Sequence, residues 1–162
     1  IVNRMVKENR SVFYPNNTES LPISGGDVGG SVGFETFKEK QKQQAVQLGL
    51  SEEDAEVMIQ RYGSNITHIF DYYEQANKQD AIIDPLTEAI LQYSIQHEAA
   101  CTPSDIFIRR TGALFFHIDY VQQQKQSVIN RMQEIFQWKE EEKNGHLKEL
   151  EKHMTEAVNA RN

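Results

Sequence analysis

The sequence predicts an all-α domain, a compact bundle of about six helices following an irregular, glycine-rich N-terminal segment. Three observations carry that expectation. After Phe34 the apolar residues recur at helical spacing, and helix start and stop residues punctuate the chain at regular intervals. No stretch alternates polar and apolar residues between hairpin turns, except Ala113 to Ile118, which could be read as a strand.

Taken in order, Ile1, Val2, Met5 and Val6 form one stripe of an amphipathic helix whose polar face is Asn3, Arg4, Lys7 and Glu8. The first residue is Ile and no capping residue precedes it, so residues 1–12 are expected to be the cut end of an upstream element. An ordinary N-terminal helix is the alternative. Residues 13–34 carry Pro15, Asn16, Asn17, Pro22 and the glycines Gly25, Gly26, Gly29, Gly30 and Gly33, the composition of a linker. Those glycines match neither the dinucleotide fingerprint nor the phosphate loop, and a turn passing close to another surface is the reading favoured for them.

Residues 35–162 form the helical domain. Phe34, Phe37, Ala45 and Leu48 line its first helix from Glu35, and Gly49 suits a left-handed cap. Ser51 opens the second with a capping-box spacing to Asp54; Val57, Met58 and Tyr62 mark its buried side and Gly63 ends it. Ser64 or Asn65 is expected to cap the third, whose stripe is Ile66, Ile69, Phe70 and Tyr73. Asp84-Pro85 starts the fourth, and Leu86, Ala89, Ile90, Tyr93 and Ile95 give it an apolar face wide enough to make it central. Thr102-Pro103-Ser104-Asp105 starts a short fifth helix to about Arg110. Asp119 is expected to cap the sixth, striped by Val121, Val128, Met132, Ile135 and Phe136 and ending at Trp138. The final segment from Lys139 keeps a narrow seam of Leu147, Leu150, Met154, Ala157 and Val158 amid alternating Lys and Glu, a solvated helix supported by ion pairs and weakened at Gly145.

Composition narrows the function classes. The formal net charge is −7, and residues 35–108 hold thirteen acids against five bases, a surface that repels phosphate backbones, so no nucleic-acid partner is expected. Cys101 is the only cysteine, which excludes an internal disulfide and a thiol-based zinc site and fits a reducing compartment. No apolar run approaches the roughly 20 residues that span a bilayer. The expected location is cytoplasmic.

Glu98, Asp105, Arg109 and Arg110 make the densest charged constellation next to apolar sequence. Helices meeting at the Cys101 to Pro103 turn could bring Glu98 against Arg109 or Arg110 as an ion pair that fixes their angle. An arginine binding a substrate phosphate or carboxylate at a domain interface is the alternative. The structural role is favoured, because acids within reach partly neutralise the arginines. The position four residues after His97 is Cys101, so His97-Glu98 does not continue into a two-histidine metal motif. His68 and His117 stand alone beside apolar residues and read as packing residues, while His146 and His153 read as solvated. Cys101 has no flanking base pattern, so a nucleophile is not indicated. No catalytic, cofactor-binding or metal-ligating residue is expected in this chain.

Four stretches, Ser20-Leu21-Pro22-Ile23-Ser24-Gly25-Gly26-Asp27-Val28-Gly29-Gly30, Leu48-Gly49-Leu50-Ser51, Arg61-Tyr62-Gly63-Ser64-Asn65 and Asp105-Ile106-Phe107-Ile108-Arg109-Arg110-Thr111, occur in that order. With Gln96-His97-Glu98-Ala99-Ala100 before the arginines, they resemble the C-terminal part of the bacterial aerobic glycerol-3-phosphate dehydrogenases and the related alpha-glycerophosphate oxidases. The likeness extends over nearly the whole chain. It implies a parent enzyme whose upstream region binds FAD and oxidises glycerol 3-phosphate to dihydroxyacetone phosphate by hydride transfer to the flavin. Electrons then pass to membrane quinone in a dehydrogenase, the preferred class, or to oxygen in an oxidase. FAD is expected in the full-length enzyme and not on this chain, which acts as an accessory domain inactive alone. Its expected partners are the upstream FAD and substrate domain, which the glycine-rich segment would touch, and a second copy of itself. Peripheral attachment at the inner face of the membrane is a further implication of the resemblance. An independent helical module that binds a partner helix is the alternative function.

Overall fold

The computed structural model describes residues 18–19, 21–78 and 83–159, and among them there is no β-strand. The stripe expected over Ile1 to Val6 lies outside the described residues. Among the described residues seven α-helices follow in order: α1 (Gly30–Gln47), α2 (Glu52–Tyr62), α3 (Ile66–Asn77), α4 (Pro85–Glu98), α5 (Ala113–Phe116), α6 (Ile118–Phe136) and α7 (Glu140–Val158). A 3₁₀ turn, Gly63–Asn65, joins α2 to α3, and a π-helical turn, Asp105–Arg110, precedes α5. The all-α expectation holds. Ala113 to Ile118 forms the single turn α5 and the start of α6 rather than a strand, because its six residues also satisfy a short helical pattern.

The punctuation comes from capping chemistry. Ser51 Oγ accepts from Asp54 N at 3.0 Å, and Asp84 Oδ2 accepts from Thr87 N at 2.9 Å with Pro85 in the first turn of α4, each satisfying an otherwise orphaned helix N–H. Gly49 has φ 92° and Gly63 φ 52°, the left-handed values expected of helix stops. Three expectations need correction. Helix α1 begins at Gly30 rather than Glu35. Asn65 holds the N-cap position of α3 but makes no side-chain capping bond, since the 3₁₀ turn runs into the helix and the Asn65 side chain is committed elsewhere. Asp119 sits inside the first turn of α6, which opens at Ile118.

Two apolar clusters share α4. One gathers Ala45, Leu50, Ala55, Met58, Ile59, Tyr62, Ile66, Ile69 and Phe70 from α1 to α3 around Ala89, Ile90 and Tyr93 of α4. The other places Leu91 of the same helix against Ile106, Phe107, Leu114, Val121, Val128, Ile129, Met132, Leu150 and Met154. Helix α4 is therefore buried on both sides, as its wide apolar face predicts. Val57 does not face the core, being 49% exposed. The buried stripe of α2 is Ala55, Met58, Ile59 and Tyr62, at i, i+3, i+4 and i+7, and Val57 falls off it. Glu88, on α4, is buried and accepts from Arg131 Nε of α6 at 2.9 Å and from Gln92 at 2.7 Å.

Candidate functional site

The charged constellation divides into two pairs, set by the turn that follows α4. Ala99 adopts φ 54°, and Ala100 N donates to Ser94 O at 2.9 Å, a Schellman-type stop that turns the chain sharply. Thr102 then caps the next turn: Asp105 N donates to Thr102 Oγ1 at 3.2 Å, while Asp105 Oδ2 accepts from Thr102 N at 2.9 Å, Thr102 Oγ1 at 2.9 Å and Cys101 N at 3.0 Å. Burial would raise the Asp105 carboxyl, but these donors, with the Arg109 guanidinium beside it, hold it below its ordinary value.

Beyond Asp105 the helix widens to a π-turn, where Thr111 N and Thr111 Oγ1 both donate to Ile106 O, at 2.9 and 2.8 Å. Arg109 returns to Asp105. Arg110 reaches across the junction instead, with Nε 3.5 Å from Glu98 Oε2 and an Nη2 hydrogen bond to the Glu98 carbonyl. Of the two arginines expected to meet Glu98, Arg110 does so.

Arg110 and Glu98 also line a polar cleft of about 350 Å³. The other walls are Arg61 and Tyr62 from the end of α2, Asn65 from the 3₁₀ turn, Tyr93 and His97 from α4, and Ser24 from the glycine-rich segment. That segment is held by a close backbone approach. Ser64 N donates to Gly25 O at 2.9 Å, and a Cβ on Gly63 would lie 2.0 Å from the same oxygen. Asn65 Nδ2 ties the segment to α4, donating to Ser24 Oγ at 2.8 Å and to Tyr93 Oη at 2.9 Å.

One wall of the cleft is aromatic. Tyr93 and His97 stack at 4.8 Å, one helical turn apart, and His68 stacks on His97 at 4.7 Å. Tyr72 Oη lies 3.2 Å from His97 Nε2. His68 is therefore an exposed member of an aromatic stack anchored on buried Tyr93 rather than an isolated packing residue. His146 packs against Trp138 at 4.3 Å, and His153 stands 3.8 Å from both Glu149 and Glu156. Burial pushes the Tyr62 phenol up to about 12 and also raises Tyr93. The sequence reading passed over Arg61, Tyr62, Asn65 and Tyr93 as a site. The one available signal was the polar run Arg61-Tyr62-Gly63-Ser64-Asn65 at a helix stop, and its partners lie far along the chain.

Residues 16–143 match the family described as the C-terminal domain of alpha-glycerophosphate oxidase. The chain belongs to that family. It is 42% identical to an aerobic glycerol-3-phosphate dehydrogenase of Bacillus subtilis (strain 168) over 96% of its own length and 28% of that protein's. The corresponding enzyme of Staphylococcus haemolyticus is 32% identical over 98% of this chain and again 28% of the relative. An X-ray structure of the glycerol-3-phosphate dehydrogenase from Bacillus halodurans, complexed with FAD, superposes with a TM-score of 0.85 at 31% identity. It covers 99% of this chain and 33% of that one. The chain thus spans only about a third or less of its relatives' length.

Proposed function

We propose that this chain is the C-terminal accessory domain of a flavoenzyme that oxidises sn-glycerol 3-phosphate to dihydroxyacetone phosphate, with quinone as electron acceptor. The observation that carries the reading is the match of nearly the whole chain, at 42% identity, to a protein named an aerobic glycerol-3-phosphate dehydrogenase. Other named relatives are dehydrogenases too, which favours quinone over oxygen.

FAD does not fit the residues described here. A dinucleotide site needs a parallel strand leading through a glycine turn into a helix N-terminus, the described residues hold no strand, and the cleft of about 350 Å³ is lined by arginine, tyrosine and glutamate side chains. Flavin and hydride chemistry therefore belong to the remainder of the enzyme. The chain's own contribution is a rigid helical body in which the Glu98 to Arg110 and Asp105 to Arg109 pairs fix the junction after α4. No helix among the described residues is long and apolar enough to cross a membrane.

The test is anaerobic addition of glycerol 3-phosphate to the full-length enzyme containing this domain. Bleaching of the bound flavin, followed by recovery with a soluble quinone, is the expected outcome. Recovery by oxygen with stoichiometric peroxide and none by quinone would assign an oxidase instead. A flavin that glycerol 3-phosphate leaves oxidised sinks the proposal.

A further inference from the structure

We infer that the cleft between Ser24, the end of α2 and the C-terminal end of α4 is a binding site for a phosphate group, either free phosphate or a small phosphate monoester. The proposal stands independently of the flavin reaction, because it concerns side chains within this chain alone.

Proton accounting comes first. Asn65 Nδ2 donates both of its hydrogens, to Ser24 Oγ and Tyr93 Oη. Each hydroxyl thereby has a lone pair occupied, and its own hydrogen is left to point into the cleft. The Tyr62 hydroxyl adds a third donor. Tyr62 is only 5% exposed; the Arg61 guanidinium lies beside its buried oxygen without a well-formed hydrogen bond, and a guanidinium can only donate, so nothing among the described residues accepts the phenol's own hydrogen. Such a group is costly unless something accepts from it. Burial keeps the phenol protonated far above neutral pH, so it remains a donor.

Charge comes second. Glu98 is the cleft's one carboxylate, and it is committed to Arg110. No carboxylate among the described residues pairs with Arg61, which donates from Nη2 to the Thr111 carbonyl at 3.2 Å and lies beside the Tyr62 phenol. A guanidinium carries five N–H donors, so Arg61 keeps most of its own for a ligand. The buried Nε of Arg110 also lacks a well-formed hydrogen bond, its Glu98 contact being long at 3.5 Å. In a chain of net charge −7 the cleft carries a local cationic excess. Three hydroxyl donors and a guanidinium with no carboxylate partner, drawn from different elements, suit a tetrahedral oxyanion, which accepts from several directions, better than a planar carboxylate.

Titration of inorganic phosphate into the 162-residue chain, followed by amide chemical shifts, tests the proposal. Saturable shifts confined to residues around Gly25, Ser64, Asn65 and His97 are expected, with none from chloride at matched ionic strength. Arg61→Gln, at an exposed position, should weaken binding roughly tenfold, and Tyr62→Phe, which keeps the ring, about fivefold. Methyl phosphate in a parallel arm separates the two sources: tighter binding than inorganic phosphate assigns a monoester, equal or weaker binding assigns the free ion. Shifts that chloride reproduces, or that survive both substitutions unchanged, overturn the site.

Discussion

The Asp105 carboxylate accepts three hydrogen bonds from the Cys101–Thr102 turn and pairs with Arg109, so the folded chain favours its charged form and lowers its pKa from the ordinary 3.8. A carboxyl with a depressed folded pKa contributes stability above its unfolded value and loses it as pH falls through the folded one. Asp105→Asn should therefore cost about 1–2 kcal/mol near neutrality. The gap to the parent should narrow as pH falls below 3.8, in urea melts across a pH series. A gap that stays constant through the acid range would mean that the ionised form is not what the turn binds. The cap itself was legible, because Thr102 and Asp105 lie three residues apart and capping is local. The partner of each arginine was not. Arg109 and Arg110 are adjacent and chemically equal, and the choice between them depends on a π-turn that no periodicity announces.

At the level of elements, the junction between the glycine-rich segment and the end of α2 rests on two glycines. Gly63 has φ 52° and ψ −131°, a backbone region that side chains avoid, and a Cβ there would lie 2.0 Å from Gly25 O. Gly49 shares the positive φ, at 92°, but a Cβ there meets nothing within 4 Å. The two positions separate strain from collision. Gly49→Ala should cost about 1 kcal/mol from backbone strain alone. Gly63→Ala should cost about 3 kcal/mol or more, because the segment carrying Ser24 must also lift off. Equal losses in chemical denaturation would show that the close approach adds nothing. Turn composition predicts that the glycine-rich segment holding Gly25 passes close to a surface, and it predicts the helix stops at Gly49 and Gly63. The surface expected was the upstream domain; the contact that Gly25 makes with Gly63, 38 positions along the chain, has no local signal. The same limit hid the cleft, whose walls come from five separate elements.

Across the molecule, α4 is the one helix among the described residues that contributes to both apolar clusters, and this gives the unfolding behaviour a definite form. Ala89, Ile90 and Tyr93 face α1 to α3, while Leu91, fully buried, faces α6 and α7. The breadth of the apolar face made this position legible from sequence, because a helix covered on two sides cannot have a narrow stripe. Glu88 within that face was not legible as buried, since its compensation by Arg131 spans 43 residues. If α4 couples the halves, damage to it should spread and damage elsewhere should not. Leu91→Ala and Leu150→Ala each remove a fully buried leucine from the same cluster, and each should cost about 3 kcal/mol. Their hydrogen-exchange patterns should differ. Leu150→Ala should accelerate exchange in α6 and α7 and leave α2 and α3 near parental rates, a sub-global opening. Leu91→Ala should accelerate exchange in α2 and α3 as well, because loosening α4 withdraws Ile90 and Tyr93 from the other cluster. Identical exchange maps for the two variants would mean that the domain unfolds as one undivided unit, with no special role for the central helix.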